Sequence, residues 1–465
     1  MDNYLQQIKT LFKNVTLNTL GVQRDFYTLI ADKDIDRALS LTQDRSDEVD
    51  NAIREYNPQT HKVMSRPNKR RKNAEPYISE KLPRTRQRYI NEVELFFLLG
   101  KQIIWKKDDG EDAAYKLYTD FISDYYMNSI HRTFKRLAGA ETEAAIVFHM
   151  YNEDGRMMCK PFVAARSTGY ELRPLFDQFG TMLAFALGYK SKQGGSSVQH
   201  WDIHTPKTIF YCQKERGLWQ VTPRENIVGK ICVIYARQPK AWDGAEPRID
   251  REEHLDSKVG DTNNYFADPI AAATADVIQG MKTEQSDRIG QLLQLTGKDS
   301  RFEYINPPQN SEARRDEKID LERSILFDTY TPDFSYESIK GLGTLSGAAI
   351  KNAMILGYIK RENRKEIYEE LFGRERNVII AILKCFHPEM GSALDALKIS
   401  FEFADPFESN RSELWGPIAT LYTSGTISLE TAVALLSLTD APEEEVKRIK
   451  EQAVEERRLE NQQIL

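Results

Sequence analysis

The stretch from Ala144 to Tyr235 constrains the fold most. It reads as a series of strands set between two regions that read as helical. Ala144–Tyr151 is rich in β-branched and aromatic residues. Glu153-Asp154-Gly155-Arg156 has turn chemistry, and Met157–Ala164 leads back, so a hairpin is predicted. Gly194-Gly195-Ser196-Ser197 reads as a tip. Val198–His204, Thr208–Gln213, Leu218–Thr222 and Lys230–Tyr235 read as further strands. An antiparallel β unit inside a longer helical chain gives an α+β fold, mainly helical.

The flanks carry helical spacing. Residues 1–56 place Leu5, Ile8, Leu11 and Phe12, then Leu39, Leu41, Val49 and Ile53, at helical intervals. Residues 89–105 predict an amphipathic helix with Gly100 as its stop, and 112–138 predict an aromatic-rich one. After the strands, Asp268-Pro269 opens a predicted helix to about Met281, and Ser311–Thr329 predicts a charged helix. Ala348–Phe386 predicts a long helix, with Gly357 and Gly373 as kinks, and Ile399–Phe403 a lone strand. Two helices close the pattern, Ser428–Leu436 and one capped by Asp440. Residues 57–88 break it with Pro58, Pro67, Pro76 and Pro83.

Charge is unevenly spread. The 465 residues carry 64 Lys+Arg and 70 Asp+Glu, a net of −6. Lys62–Arg88 alone holds ten basic and two acidic residues, a net of +8, which leaves −14 for the rest. The first residues, MDNYLQQIKTLFKNV, lack a basic leader followed by an apolar block, so no secretory signal is expected. The longest apolar runs, Val378–Leu383 and Ile231–Ala236, are far shorter than a membrane helix of ~20 residues. Cys159, Cys212, Cys232 and Cys385 are widely spaced and predict small buried thiols, not a disulfide framework or zinc site.

Several patterns invite a chemical reading and are better explained otherwise. His200 and His204 are four apart, a chelating interval on a helix, yet their neighbours are strand-like. Gly341-Leu342-Gly343-Thr344-Leu345-Ser346-Gly347 lacks the Gly-Lys-[Ser/Thr] of a phosphate loop and follows no apolar strand. Asp261, Asp268 and Asp276 sit where capping favours Asp, with no His or Lys at a telling distance. No Gly-x-Ser-x-Gly elbow occurs. Lys69-Arg70-Arg71-Lys72 can meet phosphates by charge or another subunit by ion pairing, and lacks the aromatics of a base reader. No catalytic residue, metal site or cofactor is predicted.

Three segments, in order, carry a family resemblance. The C-terminal one is Gly425-Thr426-Ile427-Ser428-Leu429-Glu430-Thr431-Ala432 followed by Asp440-Ala441-Pro442-Glu443-Glu444-Glu445. The early one is His61-Lys62-Val63-Met64-Ser65-Arg66-Pro67-Asn68-Lys69, followed by the apolar helix ending Phe96-Phe97-Leu98-Leu99-Gly100. The third is the acidic stretch Ile249–Asp268. Together they resemble the portal proteins of tailed double-stranded DNA bacteriophages of the long-tailed type.

The resemblance implies a portal fold of wing, stem, clip and crown, assembling as a ring, commonly of twelve subunits, at one capsid vertex. It implies 1–260 as wing, 261–279 as a stem helix, 280–310 as clip and 311–331 as the second stem helix. It implies 332–347 as tunnel loop, 348–424 as long wing helix and return strand, and 425–465 as crown helices. The implied partners are the terminase large subunit, a head–tail adaptor, the major capsid and scaffolding proteins, and double-stranded DNA passing without sequence preference. The resemblance implies no membrane partner. The protein would reside in the virion after assembly in the host cytoplasm. Lys340, Gly341, Gly343, Thr344, Ser346 and Gly347 are the implied tunnel-loop residues, with Lys340 the candidate for transient phosphate contact. Acidic charge on a channel wall would repel the DNA backbone and let it slide. The competing readings are a metal-dependent nuclease acting in packaging and another neck or adaptor protein without a channel. The nuclease would need a cluster of carboxylates or histidines that the sequence does not supply.

Overall fold

The computed structural model describes residues 26–68, 78–193, 196–267, 271–273, 302–304, 311–335, 340, 351–407, 411–436 and 442–463. The chain divides into two compact units. One holds residues up to Asp333 together with Leu356–Ala404; the other holds Phe334–Ile355 and Asp405–Leu465.

The first unit is built in layers. Residues 26–31 and helices α1 (Ile35–Ser40) and α2 (Ser46–Tyr56) precede α3 (Arg86–Leu99). Strand β1 (Ile103–Asp109) leads to α4 (Asp112–Asp124) and α5 (Met127–Glu141). The strands β2 (Glu143–Glu153), β3 (Arg156–Ala164), β4 (Glu171–Phe176), β5 (Met182–Gln193), β6 (Ser196–His204), β7 (Thr208–Glu215), β8 (Leu218–Glu225) and β9 (Val233–Arg237) follow. All pair antiparallel, as a three-stranded sheet in the order β3-β2-β9 and a five-stranded sheet in the order β4-β5-β6-β7-β8.

Alternation along the strands explains the stacking. On β2, Ala144, Ile146 and Phe148 enter the helical core, whereas Ala145 and Val147 meet Phe185 and Leu187 of β5. Successive strand residues point to opposite faces, so β2 is buried on both. On β5 the other set, Ala184 and Ala186, meets Phe26, Ile30, Ile35 and Ala38 of the N-terminal helices. The order of layers is therefore N-terminal helices, five-stranded sheet, three-stranded sheet, helical core. The β2–β3 hairpin turns at Asp154-Gly155, both left-handed (φ 51° and 80°), the geometry its sequence predicts.

The rest of the first unit is mostly helical. Helix α6 (Glu246–Ala267) ends before a short pair, β10 (Ala271–Ala273) and β11 (Phe302–Tyr304), and α7 (Ser311–Asp328) follows. Helix α8 (Ile355–Phe386) is 32 residues long, followed by α9 (Gly391–Ala396) and β12 (Lys398–Phe403). Tyr368, Phe372, Val378, Ile379 and Ile382 of α8 pack with Leu95, Leu98, Tyr118 and Phe134 in the main core. The second unit contains α10 (Arg411–Thr423), α11 (Leu429–Leu436) and α12 (Pro442–Gln463). Its C-terminal helix pair is tied by Lys450 to Glu430 at 2.7 Å.

Several expectations need correction. The helix predicted over 89–105 stops at Leu99, because Ile103–Asp109 pairs antiparallel with β12, Ile103 opposite Phe403. The "lone" strand thus has a partner, and Trp105 packs on Tyr118 and Phe401. The single helix predicted over 112–138 is two, broken where Tyr126 turns left-handed (φ 51°). The stem helix expected at 261–279 is not one helix. Helix α6 begins at Glu246 and ends at Ala267, and the alanine run after Pro269 pairs as a strand with 302–304. The helix ends at Ala267, two residues short of a proline, a residue type that lacks a backbone donor and disfavours helix at the position before it. Strands β4 and β5 and helix α10 have no counterpart in the sequence reading. Pro174 and Gly188 interrupt the strands, and Gly416-Pro417 lies inside the helix, so each mimics a turn. Gly357 is a packing glycine: a Cβ there would lie 2.2 Å from the Phe97 ring.

Candidate functional site

The residues singled out by sequence are not brought together among the described residues. Lys340 is described and exposed. Gly341, Gly343, Thr344, Ser346, Gly347, Lys69, Arg70, Arg71, Lys72, Asp268, Asp276 and the Asp440 cap lie outside the described residues. His200 and His204 lie on β6, as their neighbours predict. His200 stacks on Tyr189 and bonds the Ser191 hydroxyl at 2.7 Å. His204 is 4% exposed, and burial pushes its pKa down to about 4. Among the described residues no group of His, Cys, Asp or Glu is arranged to hold a metal ion. Among them no helix is long and apolar enough to cross a membrane. Three of the four cysteines are buried and all are free thiols.

The strongest electrostatic feature is a clamp on α6. Six carboxylates lie along its 22 residues, and the basic segment on either side of residues 69–77 runs against them. Arg66 donates to Asp261 at 2.6 Å and to the Glu80 carbonyl at 2.9 Å, and the Glu80 amide donates to Asp261 at 2.8 Å. The Ser257 hydroxyl accepts from the Leu82 amide at 3.0 Å. Arg84 Nε meets Asp256 at 2.6 Å. Arg86 grips Glu252 through two nitrogens at 2.8 and 3.1 Å and reaches Glu322 of α7 at 2.7 Å. A forked guanidinium–carboxylate contact fixes geometry as well as charge. Lys62 pairs with Asp250. Asp261, a sequence candidate for catalysis, is thus a buried structural acceptor.

This clamp also joins α6 to α7. Arg248 pairs with Asp328, Arg86 bridges Glu252 and Glu322, and Lys318 meets Asp256 at 2.9 Å. Low numbers on one helix meet high numbers on the other, so the two run antiparallel. Ile325 of α7 packs with Ile90, Trp242 and Ile249.

His61 seats the start of the segment. Its Nδ1 lies 2.6 Å from Glu253 and its Nε2 2.7 Å from the Glu55 carbonyl. Glu253 also accepts from the Arg84 amide at 2.8 Å. Burial opposes the imidazolium, but the hydrogen bond and charge of Glu253 outweigh it and raise the His61 pKa above its ordinary 6.5. A raised histidine pKa contributes stability fully below 6.5 and loses it as pH rises through the folded value. Unfolding titrations from pH 6 upward are expected to show this loss in the natural chain and not in His61→Gln. Parallel curves would contradict it.

A second charged group is fully interior. Glu94 of α3, 1% exposed, meets Lys135 of α5 at 2.5 Å, and Lys360 and Arg364 of α8 at 3.4 and 3.1 Å. Burial opposes its charge, yet these three cations hold its pKa well below the usual carboxylate range. Burial drives the Lys135 pKa down despite Glu94. Sequence reasoning passed over both clusters. Their signals are a glutamate between Val93 and Leu95 in an apolar helix, and a basic run preceding an acidic one by the length of a domain.

The family described as "Phage portal protein, SPP1 Gp6-like" matches residues 41–458. No curated protein sequence matches. Among solved structures, a chain of "Neck of native GTA particle computed with C12 symmetry" is 11% identical with a TM-score of 0.41. A chain of "Neck of empty GTA particle computed with C6 symmetry" is also 11% identical, with a TM-score of 0.44. Each likeness covers 76% of this chain and 89% of the other. The family match takes in the strand block, the clamped helix pair, the buried charge cluster and the C-terminal helices, and by it the chain belongs to the SPP1 Gp6-like phage portal proteins.

Proposed function

We propose that the chain is the subunit of a ring, commonly of twelve, that forms the DNA channel at one capsid vertex. The observation that carries this reading is the family match over residues 41–458. In it the ring admits DNA driven by terminase, retains the packaged genome and passes it outward through a head–tail adaptor. Major capsid and scaffolding proteins surround it in the virion, after assembly in the host cytoplasm.

The layered first unit supplies most of the wing. The antiparallel pair α6 and α7 suits the stem, with the clip, 280–310, in the span between them. The glycine-rich segment 341–347 suits the tunnel loop, α8 the long wing helix, and α11 with α12 the crown. DNA symmetry does not match a ring, and glycines let copies of one loop adopt different conformations around it. Lys340, exposed before those glycines, offers a weak phosphate contact. The basic quartet Lys69-Arg70-Arg71-Lys72 offers phosphate or inter-subunit contacts from the clamp segment.

Particles produced without this chain are expected to be heads empty of DNA, restored by supplying it. Filled heads in its absence would contradict the reading. Complementation with Lys340→Ala or Gly343→Pro is expected to lower packaging or ejection, and unchanged DNA content and ejection in both would remove the tunnel-loop role.

A further inference from the structure

The chain leaves the first unit after Asp333 and re-enters it at Leu356. Helix α3 fastens both places. The Tyr89 hydroxyl donates to the Pro332 carbonyl at 2.7 Å, just after α7. On the returning side, Phe97 fills the space over Gly357, and Glu94 binds Lys360 and Arg364. The span between these anchors contains the glycine-rich segment.

One side chain touches both ends directly. Lys360, 5% exposed on α8, donates to the Thr331 hydroxyl at 3.4 Å and the Ala241 carbonyl at 3.1 Å, and lies 3.4 Å from Glu94. Thr331 is itself buried and bonded to Thr329 at 2.9 Å. Glu94 has shorter contacts from Lys135 and Arg364, so the site holds three cations for one carboxylate. Lys360 is the surplus one, held by its longest contacts. A buried cation without its own counter-ion detracts from stability. The bridge to Thr331 gives it a role that charge pairing with Glu94 does not.

We propose that Lys360 is a positioning residue that ties the Thr331 end of the departing chain to the returning helix α8, at a cost to the stability of the fold. The charged groups facing it are Glu94 from α3, Lys135 from α5 and Arg364 from its own helix; the Thr331 turn and the Ala241 segment present only hydroxyl and carbonyl oxygens. Burial, with the repulsion of Arg364 and Lys135, outweighs Glu94 and brings the Lys360 pKa down to about 8 from 10.5. Between those values the unfolded chain holds this proton and the folded chain does not. Raising the pH therefore favours folding, by up to about tenfold per pH unit from this group. The proposal rests on this chain's own contacts and stands whether or not the channel reading does.

The test uses Lys360→Met and Thr331→Val in the full chain, with denaturant unfolding from pH 7 to 10 and native-state amide exchange. For Lys360→Met, stability at pH 7 is expected to equal or exceed that of the natural chain. The pH-driven rise should be shallower by one proton, and protection of the Tyr330 and Thr331 amides should fall about tenfold. For Thr331→Val, the same protection should fall with the pH slope unchanged. Three results overturn the proposal: a Lys360→Met chain less stable at pH 7, one with the full pH slope, or protection at 330–331 unaltered in both variants.

Discussion

Replacing Glu94 by Ala is expected to cost about 3–5 kcal/mol of unfolding free energy, as expected for stripping the partner from buried charges. The carboxylate lies at the junction of α3, α5 and α8 and is the acidic group that meets Lys135, Lys360 and Arg364. Without it, three cations share a site whose other described contacts are carbonyls, a hydroxyl and the Tyr368 ring. Neutral lysine relieves part of that repulsion, so the deficit should shrink as pH rises toward the depressed lysine pKa values. Glu94→Gln keeps the volume and removes the charge, and is expected to recover only a minor part of the loss. Denaturant midpoints of the two variants decide the matter. A loss below about 1 kcal/mol, the scale of an exposed pair, would mean the site is wetter or more loosely packed than described.

Arg86→Met is the second large effect, again about 3–5 kcal/mol at neutral pH. It leaves Glu252, fully buried, without its forked partner, with Arg84 remaining at 3.8 Å. It also removes the bridge to Glu322 that joins α6 to α7. An orphaned buried carboxylate takes up a proton more readily folded than unfolded. The deficit should therefore be smallest in mild acid and grow as pH rises past the ordinary glutamate range. Amide exchange should place the loosening along α6 and α7, with the sheets β2 to β9 still protected. Uniform loosening of the whole first unit would contradict a local clamp.

The sheet block was legible because each device there is local. The period-2 pattern, the Asp154-Gly155 turn and the spacing of strands all reside in neighbouring residues. The C-terminal helices were legible for the same reason: Ser428 starts α11 with its hydroxyl accepting from the Thr431 amide at 3.2 Å. What escaped depends on distant partners. Ile103–Asp109 is a strand because β12, nearly 300 residues later, lies beside it. Gly357 reads as a kink until Phe97 is seen against it. The +8 of Lys62–Arg88 reads as a surface for phosphate until Arg66, Arg84 and Arg86 are found facing Asp261, Asp256 and Glu252. Of the candidate site, Lys340 alone falls among the described residues, so the loop and the basic quartet stand on the family resemblance and their charge.

The central claim is that copies of this chain close into a ring around a channel. Electron microscopy of the purified protein tests it most directly. The account predicts rings with a central hole wide enough for duplex DNA, the subunit number read from the rotational symmetry of class averages. A uniform population of monomers, or a protein that cuts DNA when given a divalent cation, would contradict it.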